Sequence, residues 1–484
     1  MTAPRPSPPS DHLIAELKAI VGEKGYTQDS TEQAPFLHDQ RGLYAGRCAL
    51  LLRPATTAEV AAIVGACARE KAPLVPQGGN TGLVGGATPH EGGHEILLSL
   101  SRLKTIRSLD PAGGSLCAEA GCVLADIQKA AEAEGLLFPL SMASEGSAQI
   151  GGMLSTNAGG LNVLRYGTAR DLALGLEVVL ADGRILDTLT PLHKDNTGLD
   201  LKQLFIGAEG TLGIITAAVL KLFPAPKTRA TAFIALARPA DGLTLLKRAQ
   251  AATGGAVSAC ELIPRIGLDF VLSHIPASRD PLPQSAPWYL LLEATSPQEG
   301  AGLNASFETL LAGALGDKLA RDATLAQNER EAGEFWRLRE SLPEAQKYEG
   351  GSIKHDVALP LSRIAEFLER AGEIVERAIP GIQVVAFGHL GDGNIHYNLS
   401  QPIGENGKKT QAERAAFLSR WAEMNRLVHD LVHEMGGSIS AEHGIGRLKR
   451  EELVRFKSET EMEMMRGIKH LLDPANIMNP GKIF

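Results

Sequence analysis

The placement of its glycines limits most what this chain can become. Three glycine-rich clusters fall within residues 76–214. The first, Pro76-Gln77-Gly78-Gly79-Asn80-Thr81-Gly82-Leu83, follows a short apolar stretch expected to be a strand. The second runs Gln149-Ile150-Gly151-Gly152 and reaches, through Ser155-Thr156-Asn157, Ala158-Gly159-Gly160. The third is Gly207-Ala208-Glu209-Gly210-Thr211-Leu212-Gly213-Ile214. Glycine lets main-chain N–H groups turn toward an anion with no Cβ in the way, and Asn80 and Thr81 add side-chain donors. Any one of these runs reads equally well as a tight turn. Three of them, with donors interleaved, favour a large phosphate-bearing cofactor held along loops.

Composition narrows the classes further. Hydrophobic residues at 44% and charged residues at 21% are ordinary for a folded chain, which excludes disorder throughout. A net charge of −8 without a basic block argues against nucleic acid as a partner. The five cysteines (Cys48, Cys67, Cys117, Cys122, Cys260) are odd in number and none is spaced as C-x-x-C. Neither a disulfide framework nor a cysteine zinc site is expected, and a reducing, cytoplasmic location fits. No run approaches the ~18 apolar residues of a membrane span. The start, MTAPRPSPPSDH, has no apolar core of a secretory signal and reads as a disordered lead-in.

Several motifs are absent or misplaced. His90-Glu91-Gly92-Gly93-His94 matches H-E-x-x-H by letter, but Pro89 and the two glycines oppose the helix that would bring both histidines to one face. A polar turn is expected there. No G-x-G-x-x-G follows a strand, and there is no phosphate-loop motif and no G-x-S-x-G elbow.

Periodicity predicts helices over residues 12–25, 57–71 and 124–134, the second opened by a Thr56/Glu59 capping box. Strands are expected at 49–52, 73–76, 95–99, 118–120, 174–180 and 214–222. Pro224, Pro226 and Lys227 mark a boundary. Beyond it, strands at 233–236 and 289–293 alternate with amphipathic helices at 361–377 and 413–434, and a last helix is expected at 459–472.

The densest polar cluster is Phe387-Gly388-His389-Leu390-Gly391-Asp392-Gly393-Asn394-Ile395-His396-Tyr397-Asn398. Strands at 384–389 and 395–399 around a turn centred between Asp392 and Gly393 would oppose His389 and His396. Their Cβ atoms would then be ~5 Å apart, close enough to share a metal at about 2 Å. Asn394, His396 and Asn398 would share one face. Glu442, in Ser440-Ala441-Glu442-His443-Gly444, is a candidate third ligand that leaves positions open for Lewis-acid chemistry. Spacing alone is equally met by a polar turn, and a zinc hydrolase could use the same three groups. Trp336-Arg337-Leu338-Arg339-Glu340-Ser341 and Ser352-Ile353-Lys354-His355-Asp356 supply cations for an anionic substrate.

The segments PLVPQGGNTGLVGG, PLSMASEGSAQIGGMLSTNAGG, RYGTARDLALGLEVVLADG and QLFIGAEGTLGIIT resemble the FAD-binding domain of the vanillyl-alcohol-oxidase-type (PCMH-type) flavoproteins. From about residue 35 onward the chain resembles their D-2-hydroxyacid dehydrogenase branch, nearest its hydroxyglutarate-oxidising members. The resemblance implies an α+β fold: a two-lobed FAD-binding domain (46–226) after a lead-in and helix (1–45), an α+β substrate or cap domain (227–445), and a C-terminal segment (446–484) returning to the FAD domain. It implies FAD on Pro76, Gly78, Gly79, Asn80, Thr81, Gly82, Leu83, Ser144, Gly146, Gly151, Gly152, Asn157, Gly159, Glu209, Gly210, Ile214 and Asn479. Many relatives attach flavin through a histidine in the first loop; Gly79-Asn80-Thr81 stands there, so the FAD is expected to be non-covalent.

The same resemblance implies zinc, with manganese or another divalent ion as alternative, on His389, His396 and Glu442. It implies His443 as the base, Arg339, Lys354 and Asn398 as substrate contacts, and a homodimer. It also implies oxidation of a D-2-hydroxyacid, with electrons passing to an electron-transfer flavoprotein or a quinone pathway. D-lactate dehydrogenase and the flavin subunit of glycolate oxidase are the alternatives within the branch. One position departs from the hydroxyglutarate pattern: Pro343 stands where a threonine is expected, at a place tied to the distal carboxylate.

Overall fold

Leu50–Leu52, Leu74–Gln77 and Ile96–Ser99 are apolar along almost their whole length, as strands covered on both faces must be. In the computed structural model, which describes residues 8–404 and 409–484, they pair in parallel, with Ile96 between Leu50 and Leu74. Residues 1–7 of the proline-rich lead-in lie outside the described residues. Helices Asp11–Val21 and Thr57–Glu70 set Leu13, Leu17, Ile63 and Val64 against Leu50, Leu52 and Leu74. Thr56 Oγ1 accepts the Glu59 N–H (3.1 Å), but the Glu59 carboxylate accepts from Ala55 N–H (2.7 Å). The reciprocal half of the expected capping box is thus displaced by one residue. Residues 90–94 form a turn, with Gly93 at φ +72.

The chain divides into two units. The first takes the residues up to Gly159, then Gly167–Ala225 and Glu442–Phe484. Beside its parallel strands stands an antiparallel sheet in the order Ile106–Asp110, Ser115–Glu119, Gly213–Lys221, Ala173–Leu180, Ile185–Asp187. The last segment is built into this unit. Ile477 O accepts from Leu74 N–H (2.8 Å), and Asn479 N–H donates to Leu74 O (2.8 Å). Helix Glu459–Leu472 begins in a Ser458/Glu461 capping box. Near its end the buried Lys469 ammonium donates to Thr211 O (2.7 Å), Met478 O (2.8 Å) and Asp473 (2.6 Å).

The second unit takes Pro226–Ala441 and the short excursion Gly160–Tyr166. Its sheet is antiparallel, in the order Asp322–Leu325, Thr228–Leu236, Trp288–Ser296, Val257–Pro264, Gln383–His389, Asn394–Ser400, Ser352–Ala358. Phe233 anchors the core of this unit, its ring 5.3 Å from Tyr289 and 5.8 Å from Phe335. The excursion is held by Arg165, whose Nη1 donates to Ala256 O (3.2 Å) and Thr295 Oγ1 (2.9 Å). The helix expected over 413–434 is two helices, Gln411–Ser419 and Trp421–Glu434. Ser419 Oγ turns back to Ala416 O (2.7 Å), and Arg420, at φ −88 and ψ 9, bonds Ala378 O and Glu423. Among the described residues, no helix is long and apolar enough to cross a membrane.

Phe233→Ala should therefore lower the chemical denaturation midpoint strongly, at a cost of about 3–5 kcal/mol. Leu199→Ala, at a side chain 88% exposed, should leave that midpoint within error.

Candidate functional site

The three glycine clusters meet within the first unit. A Cβ on Gly79 would stand 1.9 Å from Ser147 O, and one on Gly210 would stand 2.5 Å from Pro76 Cγ. Glu209 N–H donates to Ser155 O (2.8 Å), tying the third loop to the helix Ile150–Thr156 of the second. Among the described residues, none of the main-chain N–H groups of residues 78–83 donates to an acceptor in the protein. These residues are half-buried or, at Gly82, exposed, so their donors are open to water or to an anion, and a run of such donors is what a diphosphate needs. A Cβ on Gly82, Gly146 or Gly152 would meet nothing within 4 Å, so these edges face open space. Gln77 Oε1, Gln149 Oε1 and Asn479 Oδ1 are buried acceptors without a hydrogen-bond partner. Donors in one loop, buried acceptors nearby and room beside them fit a dinucleotide carrying phosphates and hydroxyls.

Several residues expected at the cofactor also brace the loops. Asn80 Nδ2 donates to His38 O (2.9 Å), and Asn157 Oδ1 accepts Arg170 N–H (3.0 Å). Gly151 packs on Ala120, and Ile214 pairs with Val179 inside the sheet. Asn479 Nδ2 ties Gly86 O (2.9 Å) to Glu209 O (2.8 Å). The Glu209 carboxylate accepts from Ile445 N–H (2.7 Å) and Gly446 N–H (2.8 Å), just past His443. Burial pushes Glu209 up to about 7, against the pull of those two N–H groups and of Lys449.

In the second unit the polar residues line adjacent strands. Lys354 stands opposite Asn398, and Asp356 opposite His396. Asn398 Nδ2 is fixed by Gln346 Oε1 (3.0 Å), and Asn394 Nδ2 by Asp356 Oδ1 (2.9 Å). The hairpin register differs from expectation: Phe387, not His389, lies opposite His396. The turn is centred one residue earlier than expected, and Gly388 at φ +151 and Gly393 at φ +91 flank it. A diagonal placement still keeps the two imidazoles together, with ring centroids 5.5 Å apart and edge to face. Two imidazoles on one tetrahedral ion have centroids roughly 5 Å apart, given Zn–N of about 2.0–2.1 Å.

At the chain's exit from this sheet, Ala441 N–H donates to Asp356 O (3.3 Å), and Glu442 and His443 follow directly. His396 Nδ1 is 3.8 Å from Asp356, and His443 Nε2 is 3.7 Å from Glu442. Both spacings are too long for a hydrogen bond within the pair.

Glu261, a partner of both His389 and Arg339, was missed by the sequence reading. It has no exposed surface and sits in the apolar strand Val257–Pro264, opposite His389. Its Oε1 lies 2.6 Å from His389 Nδ1, and its Oε2 accepts Arg339 Nε–H (2.6 Å). Burial alone would raise its pKa, but His389 and Arg339 outweigh that and hold it down at about 2. The Arg339 guanidinium also lies 4.8 Å over the Phe387 ring. A lone acidic residue in an apolar strand, Cys260-Glu261-Leu262, was the available signal.

Gly79→Ala should lower thermal stability with or without FAD, because Ser147 O cannot yield cheaply. Gly82→Ala should leave the apoprotein melting point unchanged and weaken FAD binding. Glu209 gives a pH prediction. Its folded value of about 7 lies above the ordinary 4.5, so the folded state binds more protons in between. Its stabilising share is full below 4.5 and is lost as pH rises through about 7. Glu209→Gln should flatten the decline of melting temperature over that window.

The family described as FAD linked oxidases, C-terminal domain, matches residues 225–483, and the FAD binding domain family matches residues 48–189. A Bos taurus protein named D-2-hydroxyglutarate dehydrogenase, mitochondrial, is 39% identical over 98% of this chain and 84% of its own length. Its Arabidopsis thaliana namesake is 37% identical over 97% of this chain and 81% of its own length. A Saccharomyces cerevisiae protein named D-2-hydroxyglutarate–pyruvate transhydrogenase is 35% identical, covering 94% of this chain and 90% of its own length. A solved p-cresol methylhydroxylase structure superposes with a TM-score of 0.75 at 16% identity, covering 98% of this chain and 96% of its own. An alkyldihydroxyacetonephosphate synthase gives 0.74 at 16%, covering 99% and 86%. The fold is the α+β fold of the PCMH-type flavoproteins, and the chain belongs to the FAD-linked oxidases, within their D-2-hydroxyacid dehydrogenase family.

Proposed function

We propose that this FAD-dependent dehydrogenase oxidises D-2-hydroxyglutarate to 2-oxoglutarate. The observation that carries the reading is the joining of Arg339, Lys354, Asn398 and the histidines His389 and His396 on one set of neighbouring strands and the helix beside them. When bound, FAD on the first unit's loops supplies a two-electron acceptor, and a divalent metal on His389, His396 and Glu442 supplies a Lewis acid. Arg339, its Nε anchored by Glu261, presents its terminal nitrogens to the α-carboxylate, for which a guanidinium edge is suited. His443 takes the hydroxyl proton on Nε2. Lys354 attracts the distal carboxylate, and Asn398 beside it is held in one orientation by Gln346. The dehydrogenase match over both domains leaves no need for the hydrolase reading.

The relatives' names support the substrate, and those from cattle and thale cress carry the word mitochondrial. The five cysteines are free thiols, which suits the reducing cytoplasm proposed for this chain. The proposed acceptor is an electron-transfer flavoprotein or a quinone pathway, and the FAD is proposed to be non-covalent.

A second reading, D-lactate as substrate, is favoured by one residue. Pro343, in the short helix Leu342–Ala345, offers neither a hydroxyl nor an N–H to a distal carboxylate. A dye-reduction panel of D- and L-2-hydroxyacids decides between them. D-2-hydroxyglutarate is expected to give the highest kcat/KM, and L-enantiomers to give none. A higher value for D-lactate would transfer the assignment, and activity only on L-acids would overturn it. His443→Ala should lower kcat by ~10²–10⁴-fold, as loss of a general base does, with the flavin absorption spectrum unchanged.

A further inference from the structure

We propose that Glu261 is a positioning residue that fixes the tautomer of His389 for metal binding and the pose of Arg339 for substrate binding, so that one buried carboxylate sets both halves of the site. The inference rests on the roles given above to His389 and Arg339. It goes beyond them by assigning to Glu261 a function separate from stability.

The geometry is specific. Each Glu261 oxygen serves one partner at 2.6 Å, His389 Nδ1 through Oε1 and Arg339 Nε through Oε2. A carboxylate only accepts, so Nδ1 must carry the proton, and in the neutral ring that leaves on Nε2 the lone pair a metal needs. On the other side, engaging Nε leaves the Nη edge of Arg339 as the part that meets an anion, and the Phe387 ring below the guanidinium holds its plane. Two cationic or potentially cationic groups thus share one counter-charge in a place where Glu261 and Arg339 are both buried. Cross-strand pairing of Glu261 with His389 sets one contact through the backbone, and the helix Glu329–Glu340 delivers the other.

Glu261→Gln separates the two functions. Arginine cannot accept a hydrogen bond, so the amide oxygen of the variant must face Arg339 and its NH2 must face His389. His389 then accepts at Nδ1 and carries its proton on Nε2, the wrong tautomer for a ligand there. Glu261→Ala removes both contacts. The experiment measures the affinity of chelator-stripped, FAD-loaded protein for Zn²⁺ and for Mn²⁺ by competition with a chromophoric chelator. In parallel it measures KM for D-2-hydroxyglutarate at saturating metal, with FAD content and melting temperature as checks of folding.

Glu261→Gln is expected to weaken metal binding by about 10–100-fold while KM stays within about threefold. Glu261→Ala is expected to weaken metal binding and also to raise KM more than about tenfold. Wild-type metal affinity in Glu261→Gln, with His389→Ala weakened, would overturn this inference and leave the metal assignment standing. Wild-type affinity in His389→Ala would overturn the metal assignment itself. Should Glu261→Ala fail to fold, Glu261→Gln still decides the tautomer half.

Discussion

Main chain meeting main chain is the contact on which the first unit depends. Gly79 passes Ser147 O so closely that no side-chain carbon fits between them. That approach sets the first loop on the second, and Gly210 against Pro76 sets the third beside them. The loops have little regular hydrogen bonding of their own, so neighbours supply their rigidity. Among the described residues, the N–H groups of residues 78–83 donate to no protein acceptor, which leaves them open to a ligand. A bound anion then stabilises the folded state by mass action, since it binds that state alone.

The second unit solves a different problem, that of placing positive charge where water is scarce. A buried ion pair contributes little by itself when set against the cost of desolvating both partners. Its use here is orientation. Glu261 accepts from a strand histidine and a helix arginine at once, and the antiparallel register holds that strand histidine opposite the carboxylate. Lys354, Asp356, His396 and Asn398 gain their common face from the same register, because residues two apart on a strand point the same way.

Much of this was legible in the residues. The helix Glu459–Leu472 matches its expected limits, because Ser458 and Glu461 announce its start in the local sequence. The glycine clusters were legible as loops, yet the tasks of individual side chains were not. Asn80 and Asn157 look like cofactor donors by type, and the bonds they make to main-chain groups of neighbouring segments could not be read from the residues. The hairpin carrying His389 and His396 was found, while its register was missed, because turn geometry rather than strand composition fixes the pairing. Glu261 escaped because its partners, Arg339 and His389, are 78 and 128 residues away in sequence. The break at Arg420 lies inside an unbroken amphipathic pattern and follows from Ser419 bonding back to Ala416.

The path of the chain also orders its own assembly. The second unit needs only residues 160–166 and the continuous run 226–441, so everything it requires has left the ribosome once residue 441 emerges. The first unit is translated earlier but stays incomplete until Ile477, Met478 and Asn479 come to lie along Leu74. The half that begins first must therefore finish last. During synthesis the edge of Leu74–Gln77 stands uncovered while a whole domain is made after it, and a prematurely ended chain would keep that edge open.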